Sequence, residues 1–309
     1  MSRAEAVHVD TTSDDVPALE RQRPTRTYLG MAWRSFRANP TAMAGLVVLV
    51  VMVALALGAG VLSEYVTGHT TYDQDLSASF KAIGEDGYLL GSDAYGRDVA
   101  TRLLYGARVS LGVAGLSIIG AMAIGVSWGV AAGYFGGWID NALMRVVDVL
   151  LAIPTLFMLL LIASMWTMGP VALGFIIASL GWQTVSRLVR GEVLSLRERD
   201  FIEAARLIGA SDRRIMFRYI LPNVAPTVIV WAGLTVPALI LWEASLSYLG
   251  LGIQQPTPSW GNMLSDAQLV WSYSATLVFL PGLAIFVTVF AINLVGNGLR
   301  DALDPRLSE

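Results

Sequence analysis

The chain has 309 residues, 55% of them hydrophobic and only 15% charged, with a mean hydropathy of +0.59 and a formal net charge of −3. Soluble domains carry roughly 25% charged residues, so the shortage of charge points to a membrane protein. Mild acidity argues against nucleic acid as the main partner. The absence of cysteine excludes disulfides and thiolate metal sites, and the two distant histidines, His8 and His69, offer no histidine-rich metal or proton-relay site.

A bilayer span needs about 20 residues with few or no charges. Charge-free windows run over 38–63, 109–139, 149–186, 219–242 and 267–299. The third window is too long for one span, and Met165-Trp166-Thr167-Met168-Gly169-Pro170 interrupts it as an interfacial turn. The expectation is an all-α integral membrane protein with six transmembrane helices near 41–62, 109–133, 146–165, 169–187, 223–246 and 275–297. A polar tail of nearly 40 residues precedes the first span, which is longer than a signal h-region and reads as no cleaved signal peptide.

Basic residues set the orientation. Seventeen of the 21 fall on one face: six before the first span, Arg145, eight between spans four and five, and Arg300 and Arg306 after the last. Only Lys81, Arg97, Arg102 and Arg108 fall on the other, where the 63–105 loop also carries seven acidic residues. Both termini and the arginine-rich 187–222 loop are therefore expected in the cytoplasm. Arg102 and Arg108, close to the outer end of span two, run against the rule.

Within the spans, Gly125, Gly129 and Gly133 recur every four residues, the spacing of a close helix-packing face. Pro154, Pro237 and Pro281 should kink helices or free carbonyls, as in a moving pathway or in a static bundle. Intramembrane charge is scarce: Glu243 and Asp148 are the clearest cases, and both read as peripheral. Glu243 joins the three prolines as a candidate pathway or gate residue. An ion-coupled carrier normally needs an ionisable group deep in the membrane, so this pattern weakens a secondary-transporter reading. No HExxH or GxSxG motif suggests an intramembrane hydrolase.

The 187–222 loop is the most informative stretch. Asp200 followed by Glu203 reads as a capping-box-like helix start, Gly209 as a left-handed stop, and Ser211 as the cap of a second helix, Asp212 to Leu221, that Pro222 ends. Ala204 and Ala205, flanked by Glu203 and Arg206, are expected to leave one side of the first helix flat enough to lie in a partner's groove. The same pattern also suits a loop packed on its own bundle, or a helix-turn-helix DNA reader that its membrane tethers would keep from DNA.

At these residues the chain resembles the type I ABC-importer permeases. Glu203-Ala204-Ala205, three residues, Gly209, then eleven residues to Leu221-Pro222 is similar to their EAA loop, with Ile220 displaced by one from the usual place. Two further stretches resemble the C-type subunits of the dipeptide/oligopeptide/nickel group. One is Leu90-Gly91-Ser92-Asp93-Ala94-Tyr95-Gly96-Arg97-Asp98-Val99 with its continuation to Leu111. The other is Glu243-Ala244-Ser245-Leu246-Ser247-Tyr248-Leu249-Gly250-Leu251-Gly252 followed by Pro256-Thr257-Pro258-Ser259-Trp260-Gly261.

The resemblance covers roughly 32–307. It implies, after a polar N-tail over 1–37 whose residues 1–27, rich in Ser, Thr, Asp and Arg, read as disordered, a first span and outer loop over 38–103, a permease core over 104–300, and a C-tail over 301–309. It also implies docking of an ATPase subunit on a coupling helix carrying Asp200, Glu203, Ala204, Ala205, Arg206, Gly209, Ala210, Ser211, Leu221 and Pro222. The remaining implied partners are a homologous B-type permease, a second ATP-binding subunit, an extracytoplasmic solute-binding protein and a peptide substrate, in the cytoplasmic membrane of a bacterium. Arg97, Asp98 and Trp260 are candidate contacts for the binding protein, although each could equally serve its own loop. The single lysine, Lys81, is followed by Ala82, so the chain has no GxxxxGK[ST] phosphate loop. No cofactor is expected in this chain, and ATP with Mg would be held by the partner ATPases.

Overall fold

The computed structural model describes residues 28–303, and these form helices joined by turns and irregular loops, with one isolated bridge, Ser92 with Asp98. The tail over 1–27, expected to be disordered, lies outside the described residues, as do 304–309. Tyr28–Ala38 forms helix α1, whose Phe36 is buried near Gly298 of the last helix. One residue, Asn39, separates α1 from α2 (Pro40–Leu57). Its side chain accepts from the N–H groups of Thr41 (3.1 Å) and Ala42 (3.2 Å), and Pro40 occupies a first-turn position where no N–H is needed.

Short helical turns over 59–67 lead into an irregular loop, which ends at Asp98. The Asp98 carboxylate accepts from Thr101 N–H at 2.7 Å and so caps α3 (Val99–Phe135). At 37 residues α3 is about 55 Å long, well beyond the roughly 30 Å hydrocarbon core. It therefore carries sequence from one end of the molecule to the other.

Beyond α3 the chain breaks where the composition supplies breakers. α4 (Gly137–Leu151) and α5 (Thr155–Met165) meet at 78°, with Pro154 at the joint rather than inside one straight helix. α6 (Pro170–Ser179) and α7 (Gln183–Arg197) are bent by 45° at 180–182, where the sequence reading places a single uninterrupted span. After two short helices, α8 (Asp200–Leu207) and α9 (Asp212–Ile215), the chain passes through a widened π turn, Met216–Ile220. It continues without a stop into α10 (Leu221–Tyr248). α11 (Trp260–Gln268) is a short helix between α10 and the last, α12 (Thr276–Leu303).

Four helical stretches are long and apolar enough to cross a membrane: Pro40–Leu57, Val99–Phe135, Asp212–Tyr248 and Thr276–Leu303. The count rises to six if each bent pair makes one crossing. Their outer faces carry Val47, Leu57, Phe157, Phe175, Phe279 and Phe286, all exposed, as a lipid-facing surface requires.

Helix α3 is the hub, and its most extensive contact is with α7. The seam is made of glycine. A Cβ at Gly125 would lie 2.8 Å from Trp182 O, one at Gly129 2.6 Å from Ser186 O, and one at Gly133 2.8 Å from Val193 Cβ. Only hydrogen fits at these positions, and the close approach of the backbones is what makes the two helices one body. Ion pairs from Arg187 to Asp148 and from Arg190 to Asp140 fasten α4 to α7 beside this seam.

Candidate functional sites at the two ends of helix α3

The segment between α7 and α10 packs against the C-terminal end of α3. Helix α8 begins after Arg199, whose backbone is extended and whose side chain makes no cap. The capping box expected from Asp200 and Glu203 does not form, because Asp200 is already inside the helix. Both acids sit in the first turn, where they oppose the helix dipole favourably, and Arg206 does the same in the last turn.

Gly209 stops the helix at φ +78. Its N–H donates to Arg206 O (2.9 Å) and that of Ala210 to Ala205 O (3.0 Å), the paired bonds of a Schellman motif. Ser211 stands at the N-cap of α9 with extended backbone but makes no side-chain cap. Pro222 does not end the second helix. It lies in the first turn of α10, after a π turn closed by Leu221 N–H on Met216 O, and this wider turn suits a following residue with no N–H to donate.

The two alanines do not form a flat shared face. Ala205 is buried with Ile202 among Val130, Tyr134, Val193, Ile215 and Ile220, whereas Ala204 is exposed. Successive residues on a helix point about 100° apart, so one alanine faces the bundle and its neighbour faces away. The outward surface consists of Ala204 with Phe201, Glu203 and Arg206, continued by Leu207 (83% exposed) and Ile208 (80% exposed). Glu203 and Arg206 line an open cleft of about 660 Å³ with Tyr134, Phe135, Arg197 and Glu198.

The opposite end of α3 is closed by its own polar groups. Arg97 donates from Nε to Asp93 Oδ2 (2.6 Å), from Nη1 to Gln255 Oε1 (2.9 Å) and from Nη2 to Asp266 Oδ2 (3.2 Å). Arg102 lies behind it, 3.7 Å from Asp93 and 3.9 Å from Asp266, and donates to Gln255 Oε1 at 3.3 Å. Burial pushes the Asp266 carboxyl above its ordinary value, against the pull of Arg97 and Arg102.

Arg97, Asp98 and Trp260 are therefore buried and engaged within their own chain. Arg97 is spent on the ion cluster, Asp98 on the α3 cap, and Trp260 is buried with its indole N–H on Leu103 O at 3.2 Å. Asp93, Gln255 and Asp266, which complete the cluster, carry no mark of that role in the sequence. The one sign of the cluster is Arg102, a basic residue on the side poor in arginine and lysine, where it has carboxylate partners.

Glu243 lies near the end of α10, as its place in the span leads one to expect, but it is wholly buried there. Its carboxylate accepts from Ser110 Oγ and Ser247 Oγ, both at 2.8 Å. Those hydroxyls accept in turn from Trp260 N–H (3.3 Å) and Ile253 N–H (3.0 Å), so one carboxylate organises α3, α10 and the 249–259 loop. Pro237 and Pro281 are buried inside α10 and α12.

These features define a multi-pass helical membrane protein with one end whose charged groups are largely paired with one another and one that presents an apolar and charged surface. The family model for "Binding-protein-dependent transport system inner membrane component" matches residues 125–309, and that for the N-terminal transmembrane domain of oligopeptide transport permease C matches 27–82. The dipeptide transport system permease protein DppC of Bacillus subtilis is 40% identical over 290 residues, 93% of this chain and 88% of that protein. The oligopeptide transport system permease protein OppC of the same organism is 38% identical over 272 residues, 88% of each. The glutathione transport system permease protein GsiD of Pectobacterium atrosepticum is 37% identical over 288 residues, 93% of this chain and 94% of that one.

In fold, the chain is similar to one from the MetNI methionine ABC transporter in inward-facing conformations, with a TM-score of 0.53 at 19% identity over 66% of this chain and 96% of that one. The protein is thus an ABC-transporter permease, a transport subunit. It belongs to the family of binding-protein-dependent transport system inner membrane components.

Proposed function

We propose that this chain is the C-type permease of an ATP-driven importer of dipeptides or oligopeptides in a bacterial cytoplasmic membrane, with six spans and both termini in the cytoplasm. A homologous B-type permease would complete the pathway, two ATP-binding subunits holding ATP and Mg would drive it, and an extracytoplasmic solute-binding protein would deliver the peptide. The observation that carries this reading is the outward surface of α8. Phe201, Leu207 and Ile208 are exposed beside Glu203 and Arg206, on a short helix whose other face is buried in the bundle. A helix so presented suits a groove in another protein. The concentration of arginine on this side supports its cytoplasmic placement.

In this reading, closure of the ATPases on nucleotide moves α8 and α9 as a lever, and the spans alternate between outward and inward access. The relatives' cargoes, dipeptides, oligopeptides and glutathione, favour a peptide-like solute. The test is uptake of radiolabelled trialanine into proteoliposomes containing the purified transporter and its solute-binding protein. Uptake should require ATP on the ATPase side and stop when the ATPase subunits are left out. Uptake driven by a proton or sodium gradient without ATP would overturn the proposal. ATP-dependent uptake of nickel ions but not of peptide would replace the cargo alone.

A further inference from the structure

Helix α8 has eight residues, too few to hold its own orientation in water, so its position is set by what it touches. The apolar part is Ile202 and Ala205. The directional part converges on one residue, Tyr134, which lies in the last turn of α3 and is 6% exposed. The Tyr134 hydroxyl donates to Asp212 Oδ1 at 2.6 Å, the first residue of α9. The Arg206 guanidinium, in the last turn of α8, stands 5.7 Å from the Tyr134 ring centroid. Arg197, the last residue of α7, donates from Nη1 to the carbonyls of Gly133 and Tyr134 at 3.4 and 3.3 Å. Gly133 also closes the glycine seam between α3 and α7.

From this convergence we infer that Tyr134 is a positioning residue, through which movement of the coupling segment reaches helix α3. The bond to Asp212 is short and charge-assisted, so it resists separation of the two helices. The cation over the ring keeps α8 in register with it. Because α3 is continuous from Tyr134 to Asp98, a displacement at this end is carried along a rigid element to the cluster at the other. The inference rests on the proposed docking of an ATPase subunit at α8 and names the residue that converts docking into movement.

The test uses the complete transporter with its ATPase subunits and binding protein in proteoliposomes. It measures trialanine imported per ATP hydrolysed, together with the amount of ATPase subunit that co-purifies. Tyr134→Phe removes one hydroxyl and keeps the packing. It should lower the import-to-hydrolysis ratio roughly fivefold or more, with full co-purification. Asp212→Asn should act in the same direction, and the double variant should be no worse than the poorer single one.

An unchanged ratio in Tyr134→Phe overturns the inference. So does a proportional fall of import and hydrolysis, which marks a merely structural role, and so does loss of the ATPase subunit, which marks a docking contact. Failure of the underlying reading looks different: Glu203→Arg would then leave both co-purification and import at wild-type levels.

Discussion

The two ends of helix α3 are built from similar residue types and used in opposite ways. At the Asp98 end, two arginines and two aspartates offset one another's charge with Gln255 bridging them, and Arg97 and Arg102 are 4% and 2% exposed. At the Tyr134 end, arginine and acid lie at the surface, and Leu207 and Ile208 are left uncovered. The first end spends its polar groups on holding 93–102 against 255–266. The second keeps an apolar face unspent. What separates the two ends is the apolar surface that one of them leaves uncovered.

The comparison is most easily broken at the exposed end. Gly209→Pro should abolish ATP-driven uptake, since proline cannot adopt φ +78 and would also remove the N–H that Arg206 O accepts. Glu203→Arg should do the same by reversing a charge on the outward surface. Both variants should insert in the membrane at normal levels, as read by membrane fractionation. Uptake near wild type in either one would mean that this surface is not the driven one.

At the closed end the expected loss is in stability rather than in drive. Arg97→Ala leaves Asp93 and Asp266 without their main cation and should cost about 2–4 kcal/mol, read as thermal unfolding in detergent. Glu243→Ala, which strands the Ser110 and Ser247 hydroxyls, should cost about 1–3 kcal/mol, and Glu243→Gln less, because an amide oxygen still accepts one of them. Between the two ends, Gly129→Val should part α3 from α7 at a cost of about 1–3 kcal/mol.

The smallest effect is a pH dependence. Burial raises the folded-state pKa of Asp266, so the folded protein holds this proton more tightly than the unfolded chain does. The contribution of Asp266 to stability must then fall as pH rises through the carboxylate range. The difference in melting temperature, wild type minus Asp266→Asn, should decrease from about pH 4 to about pH 6. A difference that is flat or rising with pH would show that Arg97 and Arg102 outweigh burial.

Much of the fold is legible in the sequence because lipid makes strict demands of it. Long charge-free windows, the turn at 165–170, and Gly209 each follow from a rule that acts over a few residues. The breaks at 152–154 and 180–182 are harder to place. Pro154 marks the first, but a proline inside an apolar run can end a helix or merely kink it. Nothing as clear marks the second. At the candidate sites the local rules mislead more often. The spacing of Asp200 and Glu203 suggests a box that one residue of register removes. Pro222 suggests a stop that a widened turn bypasses. Arg97 and Trp260 look available until Asp266 and Leu103, about 160 residues away in sequence, are seen to occupy them.

The amino-acid sequence by itself determines the membrane class, the helical content, the left-handed stop at Gly209 and the absence of a phosphate loop. These depend on composition and short-range backbone chemistry alone. Only the tertiary structure decides which polar groups are spent. It buries Glu243 among hydroxyls, sets Ala204 and Ala205 on different faces, and gathers Arg197, Arg206 and Asp212 around Tyr134. The physical reason is that a side chain's availability is set by partners that pairing in space selects, and residues distant along the chain carry no local mark of one another.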